Sequence, residues 1–391
     1  MGSPDKTIVI SGYYGFKNSG DEAVLKSILT ALDEEGKAAG MQIEPVVLSI
    51  DPEWTSAAYG VRSVHRMKLG EVRRAIKESD GLISGGGSLL QDATSPKTIP
   101  YYLGILKLAQ WLRKPTFIYA QGVGPVNRKL FNPMIRSVFR KCSYISVRDA
   151  QSGELLQSMG IHGKDIHVVP DPVMGLPLPE SPLGRDSEVL PAEPDEVGAE
   201  EGTKPDAELP VVGISVRFWD PQRRELNAIA DGLAALMKSR KVHLRFLPFH
   251  QPDDDEASRY ITERMGDITS YGGQISFFRE EQQPQDMLRE VDRCDLVLGM
   301  RLHSLIYAAN RKVPLIGISY DPKIDHFLKR LDSVPTGKTD SLVPQDLTRH
   351  MIALLDAPEA WKAEHASQID KLKREAALPA RHIVEYLGNR G

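Results

Sequence analysis

The sequence predicts an α/β protein of two similar domains, each a mostly parallel sheet flanked by helices, with a cleft between them and a trailing C-terminal helix. Three observations carry that prediction. Strand-like apolar runs alternate with amphipathic helix-like runs in both halves, the pattern of parallel strands joined by crossovers. A stretch from 176 to 209 interrupts the alternation with Pro, Glu, Asp and Gly and contains no aromatic residue. The length of 391 residues also exceeds what one compact core usually holds. The expected organisation is a first domain over 1–175, an acidic, Pro-rich disordered linker over 176–209, a second domain over 210–345 and a helical segment over 346–391. The linker is expected to be dispensable for chemistry.

In order, TIVISGYYG reads as a strand running into a turn, and GDEAVLKSILTALDEEG as an amphipathic helix closed by Gly36. EPVVLSI is a second strand and KLGEVRRAIKESD a helix. GLISGGGSLLQD is a strand ending in three glycines, IPYYLGILKLAQWLR an apolar helix, and PTFIYAQGVGP another strand ending in glycines. A basic helix from Arg128 to Lys141 precedes the strand YISVRDA, and a short helix leads to IHVVPDP. The second half restarts with LPVVGISVRFW, a strand reaching Arg217, and a helix to about residue 238. VHLRFLPFH is a strand reaching His250, and helix DDEASRYITERM, strand QISFFRE and helix QPQDMLREVDRC follow. Asp295–Lys323 is one βαβ unit, with Arg301 and His303 after its first strand and Lys323 after its second.

Composition excludes several classes. The apolar and charged fractions, 41% and 26%, are those of a globular chain. No apolar run reaches the roughly 18 residues of a membrane span, and the first residues lack a secretory pattern. Cys142 and Cys294 stand far apart without a Cys/His cluster, so neither a disulfide framework nor a zinc site is expected. A reduced, cytoplasmic location follows. The 176–209 segment has ten acidic and two basic residues, a balance of −8, which leaves the rest of the chain at +4 within a total of −4. That mildly basic body suits small anions or an anionic membrane surface and is too weak for nucleic acid.

Three glycine turns, KNSGDEA (17–23), SGGGSLL (84–90) and AQGVGP (120–125), sit at strand ends where a ligand approaches backbone closely. At the first, Asp21 either caps the helix behind a Gly20 turn or faces a ligand. None matches a dinucleotide or P-loop fingerprint. Arg148, at another strand end, either pairs with a carboxylate such as Asp149 or awaits an anion. Arg217 and His250 pose the same choice in the second half. His303, two residues after Arg301 with Lys323 one strand later, joins an acid/base to cations that suit a small phosphorylated carboxylic acid.

Together, Asn18–Ala23, Gly85–Gly87, Gly122–Pro125, Ser146–Asp149 and Gly299–His303 resemble the motifs of the polysaccharide pyruvyl transferase family over nearly the whole chain outside 176–209. The sequence is most similar to bacterial members that place a pyruvate ketal on N-acetylmannosamine of secondary cell-wall polymers for S-layer anchoring. That resemblance implies two Rossmann-like domains of the glycosyltransferase-B type and phosphoenolpyruvate as co-substrate, without other cofactor or metal. It further implies a lipid-diphosphate-linked disaccharide as acceptor. By motif, Arg148, His303 and Lys323 become donor contacts, with His303 the acid/base for phosphate departure and Asp21 the candidate base on the sugar hydroxyl. Arg301, Asn18, Gly86, Gly87, Gln121, Arg217 and His250 complete the expected substrate contacts. A glycosyltransferase of the same architecture and a non-catalytic sugar- or phosphate-binding protein are the alternatives. For a membrane-borne acceptor, the stretch with Arg128, Lys129, Arg136, Arg140 and Lys141 reads either as a membrane-facing helix or as a packed helix with a solvated basic face.

Overall fold

The structure, a computed structural model, describes residues 5–92, 95–162, 165–178, 209–267, 270, 272–278 and 284–389. Most of the acidic segment expected as a linker, from 179 to 208, lies outside them. The chain forms two compact units, Met1–Leu176 with Lys371–Gly391, and Pro177–Asp370.

The first unit contains strands β1 (Lys6–Tyr14), β2 (Ile43–Ser49), β3 (Arg62–His65), β4 (Gly81–Gly85), β5 (Thr116–Gln121), β6 (Tyr144–Val147) and β7 (Ile166–Val168). Between them run helices α1 (Ser19–Ala38), α2 (Pro52–Tyr59), α3 (Leu69–Glu78), α4 (Thr98–Trp111), α5 (Phe131–Phe139) and α6 (Ala150–Ser158). The sheet order is β3-β2-β1-β4-β5-β6-β7 and all neighbours are parallel. The chain therefore winds outward from β1 to one edge, then returns across β1 to build the other side. The reversal falls between β1 and β4, paired in register from Ile8 with Gly81 to Ser11 with Ser84. Ile8, Val9, Ile10, Leu82 and Ile83 are wholly buried, as a sheet covered on both faces requires.

Two local expectations change here. Helix α1 runs past Gly36 to Ala38. Gly36 answers to packing instead, since a Cβ there would lie 2.9 Å from the Met41 carbonyl oxygen. In the basic stretch, Phe131, Ile135, Val138 and Phe139 point into the core, leaving Leu130 and Met134 as its exposed apolar side chains. This is a packed helix with a solvated basic face.

The second unit contains β8 (Val211–Ser215), α7 (Arg224–Ser239), β9 (His243–Phe246), α8 (Asp253–Met265), β10 (Gln274–Phe277) and α9 (Pro284–Asp292). It continues with β11 (Leu296–Gly299), α10 (Leu302–Arg311), β12 (Leu315–Ser319), α11 (Pro322–Arg330), β13 (Gly337–Lys338) and α12 (Pro344–Asp356). Its order, β10-β9-β8-β11-β12-β13, is again parallel with the reversal beside the first strand, here between β8 and β11.

The unit boundary falls inside α13 (Pro358–Ala376), and α14 (Leu378–Gly388) belongs to the first unit. Helix α14 buries Ala380, Ile383, Val384 and Leu387, and Tyr386 meets Phe117 edge-on at 5.2 Å. Each buried aliphatic contributes about 2 kcal/mol. The Arg381–Glu35 ion pair, with an exposed Arg, adds less than about 1 kcal/mol. Apolar burial therefore decides the docking of α14.

A recurring device shapes the loops after the strands. A carboxylate in the first helical turn reaches back to amide N–H groups of the loop before it. Glu22 accepts from the amides of Gly15 (2.8 Å) and Lys17 (3.3 Å) and from the Tyr59 hydroxyl (2.8 Å). Glu225 accepts from Trp219 and Asp220, and Asp254 from Phe249 and His250. All three carboxylate residues are buried, and the positive end of each helix favours the charge. Glu22→Ala should lower the stability of the first unit by about 3 kcal/mol, because buried donors lose their acceptor. Asp33→Ala, in an exposed pair with Lys37, should change it by about 0.5 kcal/mol or less. Urea unfolding midpoints compare the two, and equal shifts would remove Glu22 as a brace.

Candidate active site

In open α/β sheets, ligands sit at the carboxyl ends of strands, at the point where strand order reverses. In the first unit that point lies outside β1 and β4. Beyond β1 the chain turns through Gly15 (φ +80°) and Lys17 (φ +58°). A Cβ at Gly15 would stand 2.1 Å from Ser49 Oγ, so only glycine fits. Asn18 then caps α1, its side chain accepting from the amides of Gly20 (3.1 Å) and Asp21 (3.2 Å). The cap is Asn18 and the turn precedes Gly20, which corrects the reading of Asp21 as the cap. Relieved of that task, the Asp21 carboxylate lies against Gly87, where a Cβ would come within 2.9 Å of Asp21 Oδ1. Gly86 (φ +46°) packs on Val24.

Arg148 closes the cluster. Its Nη1 donates to Asp171 Oδ2 at 3.0 Å and its Nη2 to Ser88 Oγ at 3.1 Å. Asp149, the partner considered from sequence, instead caps α6 by accepting from the Ser152 amide at 2.7 Å. Gly122 stands close enough that a Cβ would meet Ser88 Oγ and Arg148 Nη2 at 3.0 and 3.1 Å. Gln121, the last residue of β5, is wholly buried and its side-chain oxygen accepts from Ser84 Oγ of β4 at 3.3 Å. The cluster thus gathers Asn18, Asp21, Gly86, Gly87 and Arg148 with Ser88 and Asp171.

Burial pushes the Asp21 carboxyl up to about 7, with Glu22 adding to the rise, Arg148 opposing it and Asp171 adding again. Burial also raises the hydroxyl of Tyr13, which the Asp21 charge raises further and Arg66 offsets. Arg66 is itself buried among aromatic rings, 4.5 Å from the Tyr101 centroid and 5.5 Å from those of Phe16 and Tyr102. A carboxyl close to neutral pH beside a fixed guanidinium is equipped to exchange a proton with a bound hydroxyl.

The second unit carries the other expected groups. Arg301 occupies the N-cap position of α10 and grips the buried Asp254 through both Nε and Nη2. Burial raises the Asp254 carboxyl, while Arg301 and the His250 amide pull it down. One carboxylate therefore ties Arg301 to the loop carrying His250. That histidine is exposed and lies four residues beyond the end of β9, not at its tip. His303, partly exposed, sits in the first turn of α10. Lys323 lies in the first turn of α11, with Nζ 4.0 Å from Asp321 Oδ2. Arg217 donates to the Tyr320 hydroxyl at 3.2 Å and packs against the Trp219 and Tyr320 rings.

Sequence reasoning missed Ser88, Asp171, Arg66 and the bracing carboxylates. Asp171 had one usable sign, an Asp directly before Pro172, which marks a helix start. Its partnership with Arg148 spans 23 residues and has no local signature. Among the described residues no group of three or more His, Cys, Asp or Glu is arranged to hold a metal. No described helix is long and apolar enough to cross a membrane.

Comparison with known proteins adds the following. A family model described as polysaccharide pyruvyl transferase matches residues 18–322. The amylovoran biosynthesis protein AmsJ of Erwinia amylovora is 22% identical over 312 residues, 76% of this chain and 70% of that protein. A glycosyltransferase from Rickettsia africae superposes with a TM-score of 0.62 at 12% identity, covering 98% of both chains. The UDP-GlcNAc 2-epimerase of Methanocaldococcus jannaschii also gives 0.62, at 10% identity, covering 98% of this chain and 99% of that one. These solved structures establish a glycosyltransferase-B-like fold of two parallel α/β sheets.

From about pH 4 to about pH 7 the folded state holds a proton on Asp21 that the unfolded chain has lost, so this group makes stability fall as pH rises through that window. Asp21→Asn should flatten the decline, most visibly between about pH 5 and about pH 8. Urea unfolding at those two values tests it. An unchanged pH slope would show that Asp21 titrates as an ordinary carboxylate.

Proposed function

This chain belongs to the polysaccharide pyruvyl transferase family, and from that premise we propose that it moves the pyruvyl group of phosphoenolpyruvate onto a sugar as a 4,6-ketal, releasing phosphate. The acceptor in this proposal, taken from the resemblance, is N-acetylmannosamine of a lipid-diphosphate-linked disaccharide, in cell-wall polysaccharide synthesis at the cytoplasmic side. The likeness to a protein of amylovoran biosynthesis supports a polysaccharide setting. The observation that carries the reading is Asp21, held at about 7 beside the buried Arg148–Asp171 pair, at the strand-order reversal of a unit within the family match.

The chemistry sets the roles. C3 of phosphoenolpyruvate takes a proton and C2 becomes oxocarbenium-like. One sugar hydroxyl attacks C2, the C2–O bond to phosphate breaks, and the second hydroxyl closes the ring. The two hydroxyl protons account for the one gained at C3 and the one leaving on phosphate. Asp21, near half-ionised at neutral pH, is the base for a sugar hydroxyl. In the second unit His303 is the proton source for the departing phosphate and Lys323 a cation for its charge, and in the first unit Arg148 is the fixed cation beside Asp21. Arg301, already gripped by Asp254, holds the start of α10 and so positions His303.

Incubation of the protein with phosphoenolpyruvate and a lipid-diphosphate disaccharide bearing N-acetylmannosamine should release phosphate and add one pyruvyl ketal, read by mass. Absence of both events with several amino-sugar acceptors would falsify the proposal. His303→Ala and Arg148→Ala should each lower kcat by about two to four orders of magnitude, with circular dichroism unchanged. Wild-type turnover in either variant removes that residue from the site.

A further inference from the structure

A cavity of about 510 Å³ opens in the second unit, lined by Trp219, Asp220, Pro221 and Arg224 after β8, by Ser319–Pro322 and Asp325 around the end of β12, and by Lys338–Asp340 at β13. Donor chemistry uses none of these groups. The loop bearing Trp219 begins at the reversal between β8 and β11, where a ligand is expected.

The walls differ from those of an anion site. Trp219 remains 51% exposed although its ring is held in place. It leans on Tyr320 at 4.6 Å between centroids, Arg217 packs on both rings, and Glu225 grips the Trp219 and Asp220 amides. This is a prearranged aromatic face left open. The lining itself holds four carboxylates, Asp220, Asp321, Asp325 and Asp340, and two cations, Arg224 and Lys338, with Arg217 stacked on the two rings and Lys323 4.0 Å from Asp321 at the border. Arg224 is already paired with Asp220. Asp220 and Asp321 accept from loop amides, and Asp325 from Ser319. Each carboxylate has further lone pairs to offer. With the bordering cations the charges balance, so the carboxylate acceptors of the lining suit a neutral ligand rich in O–H donors. An electron-rich aromatic face attracts weakly positive C–H groups.

A pyranose has both features, C–H groups on one face and hydroxyls at its edge. We propose that this cavity is a glycan subsite, in which one neutral pyranose of the acceptor stacks on Trp219 and donates hydroxyls to Asp340 and its neighbouring carboxylates. The assignment rests on the reading of the chain as a transferase acting on a glycan. Its donor need not be pyruvyl for the subsite to exist.

Saturation-transfer NMR on the full chain tests it with the methyl β-glycosides of N-acetylmannosamine, N-acetylglucosamine and galactose as probes, and uridine diphosphate as the anionic counter-probe. Transfer to ring C–H protons of at least one glycoside is expected with the wild type. Trp219→Ala should weaken that binding about tenfold, and Trp219→Phe, which keeps a flat face, should restore most of it. Phosphoenolpyruvate affinity should not change in either variant. In the transfer assay, Trp219→Ala should raise the KM for acceptor and leave that for phosphoenolpyruvate alone. No glycoside binding by the wild type, equal binding by Trp219→Ala, or Trp219-dependent binding of uridine diphosphate alone would overturn the subsite. Trp219-dependent glycoside binding without phosphate release from phosphoenolpyruvate would uphold the subsite and defeat the pyruvyl transfer reading.

Discussion

Buried carboxylates at helix starts are the constraint on which the strand-end loops depend. A parallel strand must hand its chain to a helix through a short loop whose amide N–H groups have no partner in the sheet. Glu22, Glu225 and Asp254 meet those donors from the following helix. A bond to an ionised acceptor is about twice as strong as a neutral one, and the helix dipole adds to it. The loops so held are the turn at Gly15–Lys17 before α1 and those carrying Trp219 and His250. One device therefore fixes strand-end loops in both units.

The first unit shows how one local environment assigns different tasks to two aspartates. Asp171 is buried against Arg148, within 3.0 Å of its guanidinium. Asp21 feels the same guanidinium as a smaller influence than burial and the charge of Glu22, and it rises to about 7. The first is engaged with Arg148, while burial favours the protonated form of the second. Glycine makes this possible, because a side chain at Gly87 or Gly122 would occupy the space beside Asp21 or Arg148.

Arg301 and Arg217 are cations engaged within their own unit. Arg301 meets Asp254 with a two-pronged grip that draws α8 and the start of α10 together. Arg217 packs between Trp219 and Tyr320. Both stand after strands, as ligand-binding groups do, yet each is already engaged. The planar guanidinium, able to bond at its edge and stack on its face, suits both uses.

Much of the fold was legible in the sequence because alternation of apolar runs and amphipathic helices reports on two-sided burial residue by residue. That pattern yielded the parallel α/β sheets, and the glycine turns marked the strand ends where Asn18, Asp21, Gly86, Gly87, Arg148, Arg301 and His303 gather in their respective units. Shorter elements such as β3 and β13 escaped, having too few residues to show a period. The sequence by itself determined that Arg148 and Arg301 stand just after strands, since backbone conformation there is a local matter, whereas His250 falls four residues beyond β9. Only the tertiary structure decided that Asn18 caps α1 and leaves Asp21 to titrate, that Arg148 pairs with Asp171 rather than Asp149, and that α14 joins the first unit. The cap at Asn18 is local, whereas the Asp21 titration, the Arg148 pairing and the docking of α14 depend on distance, burial and charge between residues far apart along the chain, for which a linear pattern carries no signal.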